Sequence, residues 1–222
     1  MKAFGQGDPA LAAWAEQVYA PEDEVLREIR TRSRAAGLPP IQVGAMDGLH
    51  LEVLARAARA RRAVEIGTLG GYSGVCLLRG MEPDGVLDTC ELLPRHAEVA
   101  RRSFELAGFA SRARIHVGPA RERLAAIEDE GPFDLVFVDA DKENNAAYVE
   151  LALGLSHPGT VIVVDNVVRG GAVVEADHAD PRVQGTRALF DYLAREPRLD
   201  CTALQTVGVK GYDGFVLALV TS

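Results

Sequence analysis

The chain changes texture near residue 60. Before it, apolar residues recur at helical spacing, so residues 9 to 36 read as one or two amphipathic helices, interrupted at "APEDE", where Pro21 suits a first helical turn. "GLPPIQVG" breaks the pattern, and a further helix is predicted from about Asp47 to Ala60. Beyond it, short β-branched runs alternate with helix-compatible stretches: "AVEIG", "GVLDTCE", "ARIHVG", "FDLVFVDA" and "GTVIVVDN". Near-continuous apolar strands separated by helices predict a parallel sheet covered on both faces. "CTALQTVGV" and "GYDGFVLALV" are joined so closely that they read as an antiparallel pair at the sheet's end. The expectation is a single α/β domain. Residues 61–222 form a doubly wound, mostly parallel sheet, and residues 1–60 add helices at the N-terminus.

Composition narrows the partners. A chain of 222 residues suits one sizeable core. The 24 basic and 32 acidic side chains leave a formal charge of −8, which argues against a nucleic-acid partner. Arg56, Arg59, Arg61 and Arg62 cluster, but at helical spacing they read as a solvated helix end. No stretch resembles a signal peptide, and the longest apolar runs are strand-sized, so neither export nor a membrane span is expected. Cys76, Cys90 and Cys201 are far apart and odd in number, which fits packing residues in a reducing cytoplasm. The single Trp14 and Tyr72 also read as packing residues, and the five histidines show no ligand spacing.

In doubly wound sheets ligands sit beyond the carboxyl ends of the strands, so the residues where strands stop carry the information. "VEIGTLGGYSG" runs from a strand through a glycine turn into a helix, whose free N–H groups and close backbone suit a ligand. It is not the dinucleotide fingerprint, because Leu69 stands where a second glycine would be needed. Glu91 ends the next strand, where a carboxylate can accept both ribose hydroxyls of a nucleoside. Together with Glu65, this favours an adenosine-containing ligand without a pyrophosphate, and a cationic sulfonium fits the acidic surroundings. The turn "GPAR" could border an adenine ring, with Ala120 leaving room, or be an ordinary strand-to-helix turn.

Asp139 closes the fourth strand, and Asp165 with Asn166 closes the fifth. In neighbouring strands such ends lie roughly 5 Å apart. Two carboxylates and an amide oxygen would then converge, a crowding that calls for a cation; three hard oxygen donors suit Mg²⁺. Each aspartate alone could equally cap a helix. Lys142, one of only three lysines, follows Asp139 by three positions. Beside a divalent cation and partly desolvated, it could serve as a general base; otherwise it would be ion-paired to Asp141 or Glu143.

"VEIGTLGGYS", "CELLPRHAEVAR", "FDLVFVDADKEN", "VDNVVRGG" and "GYDGF" resemble the cation-dependent O-methyltransferases of the catechol and caffeoyl-CoA type, over about residues 40 to 220. The resemblance implies a Rossmann-like methyltransferase that uses S-adenosylmethionine and a divalent cation to methylate one hydroxyl of a vicinal, usually aromatic, diol. It implies Asp139, Asp165 and Asn166 as metal ligands and Lys142 as base. Val43, Glu65, Gly67, Ser73, Glu91, Ala120 and Asp139 would line the cofactor pocket. It also implies a homodimer built through the N-terminal helices, and the cysteine usage above places it in the cytoplasm. Two positions depart from the family's aromatic residues, Asn145 and Arg169, and both lie where the acceptor should rest. A more polar or anionic catechol-like acceptor, with Arg169 as its counter-charge, is therefore expected. Residues 169 to 185 are expected to form a mobile loop at the acceptor entrance. Competing readings are a nicotinamide-dependent oxidoreductase on a similar sheet, or a non-catalytic binding protein.

Overall fold

The computed structural model describes residues 9–19, 22–208 and 211–222; Pro21 lies outside them. Helices α1 (Pro9–Tyr19), α2 (Glu24–Ala35) and α3 (Ala45–Ala57) precede the sheet. Asp23 caps α2, its side chain accepting a bond from the Leu26 N–H. The sheet strands are β1 (Arg62–Ile66), β2 (Val86–Glu91), β3 (Ala113–Val117), β4 (Phe133–Val138), β5 (Ser156–Asp165), β6 (Leu199–Gly208) and β7 (Gly211–Val220). Between the parallel strands lie α4 (Tyr72–Gly80), α5 (Pro94–Leu106), α6 (Ala120–Ala126) and α7 (Asn145–Gly154). Helix α8 (Pro181–Leu193) leads to the C-terminal hairpin.

Strand order is β3-β2-β1-β4-β5-β7-β6, with β7 antiparallel to both its neighbours. The doubly wound reading therefore holds, including the antiparallel end. Alternation along β4 shows why the strands read as continuous apolar runs. Val136 and Val138 pack with Tyr148, Val149 and Leu189, from α7 and α8, on one face. Leu135 and Phe137 pack with Leu77 and Phe104, from α4 and α5, on the other. Burying both faces leaves only the strand ends available to ligands.

Strand order reverses between β1 and β4, which opens a crevice at their carboxyl ends. The ladder runs just past the strands: Gly67 donates to the Cys90 carbonyl, Asp139 to Ile66 and Gly118 to Glu91. These bonds align four strand tips on one edge. Gly67 must be glycine, because at φ 104° a Cβ there would meet the Asp139 carbonyl oxygen at 2.2 Å.

Three expectations change. Residues 181–185 are not loop but the first turns of α8, capped by Asp180 with Pro181 in the first helical turn. Trp14 is 58% exposed, so it is not a packing residue within this chain. Cys201 is exposed on the edge strand β6, whereas Cys76 and Cys90 are buried as expected.

Candidate active site

A cavity of about 1080 Å³ occupies the crevice. One half of it is built on the β1 and β2 tips. Glu91 is held across the turn by two backbone donors, Leu69 N–H to Oε2 at 2.8 Å and Leu93 N–H to Oε1 at 3.0 Å. Both donors point at the carboxylate, so its orientation is fixed before any ligand arrives. His96, one of five histidines without ligand spacing, lines the cavity with its Nδ1 3.3 Å from Glu91 Oε1. Val43, Gly67, Ser73, Glu91, Ala120 and Asp139 all line the cavity.

Glu65 lies one layer behind them. It is fully buried, accepting from the Ser73 hydroxyl at 2.5 Å and the Thr89 hydroxyl at 2.6 Å. Burial pushes its carboxyl up to about 7, against those two hydrogen bonds, with Asp139 and Glu91 adding repulsion. Glu65 therefore acts on the cavity through the Ser73 hydroxyl rather than by touching its contents.

The reactive half lies at the β4 and β5 tips. Lys142 is 7% exposed, and its Nζ donates to Asp139 Oδ1 at 2.7 Å. The lysine thus pairs with Asp139, not with Asp141 or Glu143. Asp141 is occupied otherwise, accepting from the Tyr148 hydroxyl at 2.5 Å and from the Asn144 amide. Asp165 accepts from the Asn166 N–H at 2.7 Å, and Asn166 sits in left-handed backbone at φ 61°. Enclosure and the nearby Asp139 push the Asp165 carboxyl up, with Lys142 opposing.

That mutual repulsion is the test of fit for a cation. Two carboxylates that repel each other, with one ammonium paired to Asp139, leave negative charge uncompensated. Asp139, Asp165 and Asn166 supply oxygen donors of the kind Mg²⁺ prefers. No group of three His, Cys, Asp or Glu side chains poised around a metal occurs among the described residues, so this set depends on the amide as its third donor.

The two acceptor candidates part company. Arg169 lines the cavity at φ 54°, its N–H and that of Val168 donating to Asp213 Oδ1. Its guanidinium lies 3.9 Å from Asp213 Oδ2, so part of its counter-charge comes from within the chain. Asn145 is fully buried at the start of α7 and is not among the residues lining the cavity. Both of its amide atoms are enclosed without a hydrogen-bond partner.

A family model described as O-methyltransferase matches residues 16–220. The chain belongs to that O-methyltransferase family. It is 48% identical over 213 residues to the catechol O-methyltransferase of Mycobacterium tuberculosis, covering 96% of each chain. Among solved structures, the O-methyltransferase of Bacillus cereus in complex with SAH superposes with a TM-score of 0.93. Identity there is 46%, over 96% of this chain and 97% of that one. The O-methyltransferase TomG of Streptomyces achromogenes, in complex with SAM, gives 0.92 at 45% identity, over 96% of each. The family assignment fits the crevice, where the polar tips of four parallel strands meet. Among the described residues no helix is long and apolar enough to cross a membrane.

Proposed function

We propose that this O-methyltransferase moves the methyl group of S-adenosylmethionine to one hydroxyl of a catechol-like vicinal diol, assisted by a divalent cation such as Mg²⁺. The observation that carries this reading is the pairing of Lys142 with Asp139 beside Asp165 and Asn166, on the edge where Glu91 awaits a ribose. Glu91 accepts the ribose hydroxyls, while Ala120 and the Gly67 turn leave space for the nucleoside. Val43, Ser73 and Asp139 face the methionine end, with Glu65 aligning Ser73.

Asp139, Asp165 and Asn166 would hold the cation. When bound, it supplies Lewis acidity that makes a diol hydroxyl easier to ionise. Lys142 would first release its ammonium proton to solvent; the neutral Nζ would then accept the hydroxyl proton, and the oxygen displaces the sulfur at the methyl carbon as the sulfonium becomes a neutral thioether. Holding oxygen, methyl and sulfur in line can contribute roughly 7–11 kcal/mol. An acceptor bearing an anionic group would set it against Arg169, in competition with Asp213.

The protein works in this reading as a homodimer joined through α1, whose Leu11, Trp14 and Val18 are exposed on one stripe. A solution mass of one chain, 23.8 kDa, would refute that pairing. The reading as a whole is tested by methyl transfer from labelled S-adenosylmethionine to catechol with Mg²⁺, before and after chelation. Turnover that stops on chelation and returns with Mg²⁺ supports it. Equal turnover in chelator removes the cation, and tight binding of NAD in place of the methyl donor removes the reaction.

A further inference from the structure

A second cavity, of about 830 Å³, lies on the other side of the segment 40–43. It shares Ile41, Gln42, Val43 and Asn166 with the first. Asp139 and Lys142 line the first cavity, Asp165 lines the second, and Asn166 lines both. The two cavities therefore meet where the reading above places the acceptor's hydroxyls.

The second cavity's walls come from α1, α3, the segment 40–44 and the β6–β7 hairpin. On α1 the lining residues are Ala12, Ala15, Glu16 and Tyr19, one face at positions i, i+3, i+4 and i+7. Leu11, Trp14 and Val18 form a separate outward stripe, so the helix has two apolar duties. Met46 and Val53 add apolar surface from α3.

Basic side chains distinguish the two spaces. Arg121, Lys142, Arg169 and Arg182 line the first cavity beside Glu91, Glu122, Asp139, Asp141 and Glu143. Glu16, Asp47, Asp165 and Asp213 line the second, with no lysine or arginine among its described lining. An anionic group would be repelled there, while hydrocarbon finds a wall to cover. At this size the space matches ordinary small-ligand pockets of about 300–1,000 Å³.

We propose that this second cavity is a subsite for an uncharged, apolar alkyl or aryl substituent of the acceptor, walled on its outer side by α1. The proposal rests on the diol reading only for the place where the acceptor is anchored. In that reading adenosine and methionine take the first cavity, so the part of the acceptor away from its hydroxyls has the second cavity open to it.

The test is a series of 4-alkylcatechols, from methyl to hexyl, with saturating S-adenosylmethionine and Mg²⁺. The expected result is a rise in kcat/KM of roughly threefold per methylene over the first few carbons. Ala15→Phe, filling the cavity from α1, and Val53→Glu, charging its α3 wall, are expected to abolish that rise. Plain catechol should be turned over within about twofold of the unaltered protein in both variants.

A flat series overturns the proposal, as does a rise that persists in both variants. If the variants change the oligomeric mass while leaving the series intact, the face is a subunit contact and the proposal falls. If no diol is methylated, calorimetric affinities of the same series with S-adenosylhomocysteine and Mg²⁺ decide. Affinity that climbs with chain length and is lost in Ala15→Phe keeps the subsite while the diol reading fails; flat affinity removes the subsite.

Discussion

Lys142 is held from two directions, by Asp139 through its ammonium and by the short turn that carries its backbone. A methionine there keeps most of the side chain's volume and removes the proton acceptor. Lys142→Met is expected to lower kcat by roughly 10²–10⁴-fold, the usual contribution of a general base. Affinity for S-adenosylhomocysteine should change less than threefold. Unchanged kcat would remove Lys142 as the base. Glu65 makes a different prediction. Its carboxyl is raised from the ordinary 4.5 to about 7 by burial, so between those values the folded state holds a proton that the unfolded chain has released. Stability from this group is therefore greatest below pH 4.5 and is lost as pH rises through 7. The loss is on the order of 3 kcal/mol when complete. Glu65→Gln cannot ionise, so its stability relative to the unaltered protein should increase from pH 5 to pH 8. Urea unfolding of both proteins without ligand measures this, and parallel pH slopes would show that Glu65 does not titrate in that window.

Among the elements, α8 carries more than its sequence suggested. Gly185 lies against the turn bearing Lys142: a Cβ there would stand 2.5 Å from Glu143 Cα and 2.5 Å from the Lys142 carbonyl oxygen. Both are backbone atoms, which no side-chain rotation can move away. Gly185→Ala should shift that turn and cost about 1–3 kcal/mol. It should lower kcat by about tenfold at temperatures well below unfolding, with cofactor affinity held. Gly154→Ala is the control: it ends α7 with nothing within 4 Å, and should keep full activity with a gain of at most about 1 kcal/mol. Equal kcat in the two variants would mean that α8 does not set the lysine. The start of α8 was readable, since Asp180 followed by Pro181 is a helix-opening pair, but the polar, glycine-bearing stretch before it hid the signal. The strand tips were readable for a firmer reason: in a sheet buried on both faces, polar residues that end apolar runs have nowhere else to go. Neighbouring layers were not readable. Period-two alternation puts Glu65 on the same face as Ala63, yet only the packed α4 decides that it meets Ser73 and not the ligand. Asn145 looked like an acceptor contact by its place after "DADKEN", and the first turn of α7 directs it inward. Trp14 and Cys201 read as packing residues because exposure of an apolar side chain is a tertiary fact.

At the scale of the whole molecule, the crevice is where separately packed parts meet. Its walls include Gln42 from the segment before α3, Glu91 from β2, Ala120 from α6 and Lys142 after β4. Those residues belong to elements that pack on opposite faces of the sheet, so a ligand spanning them ties both layers to the strand tips. Binding only the folded chain, S-adenosylhomocysteine at a hundred times its Kd should add about 2.7 kcal/mol of stability. In a chain of 222 residues each kcal/mol moves Tm by roughly 2–4 °C, giving a rise of about 5–10 °C. Magnesium should add a further rise of its own, because a cation relieves the repulsion between Asp139 and Asp165 that the single Lys142 ammonium leaves uncompensated. Asp165→Asn removes that repulsion, so it should raise Tm in chelator and erase the magnesium increment while leaving the S-adenosylhomocysteine increment intact. Differential scanning calorimetry of the four ligand combinations on both proteins separates these contributions. A Tm that ignores S-adenosylhomocysteine would empty the crevice of its cofactor. A magnesium increment that survives in Asp165→Asn would move the cation elsewhere.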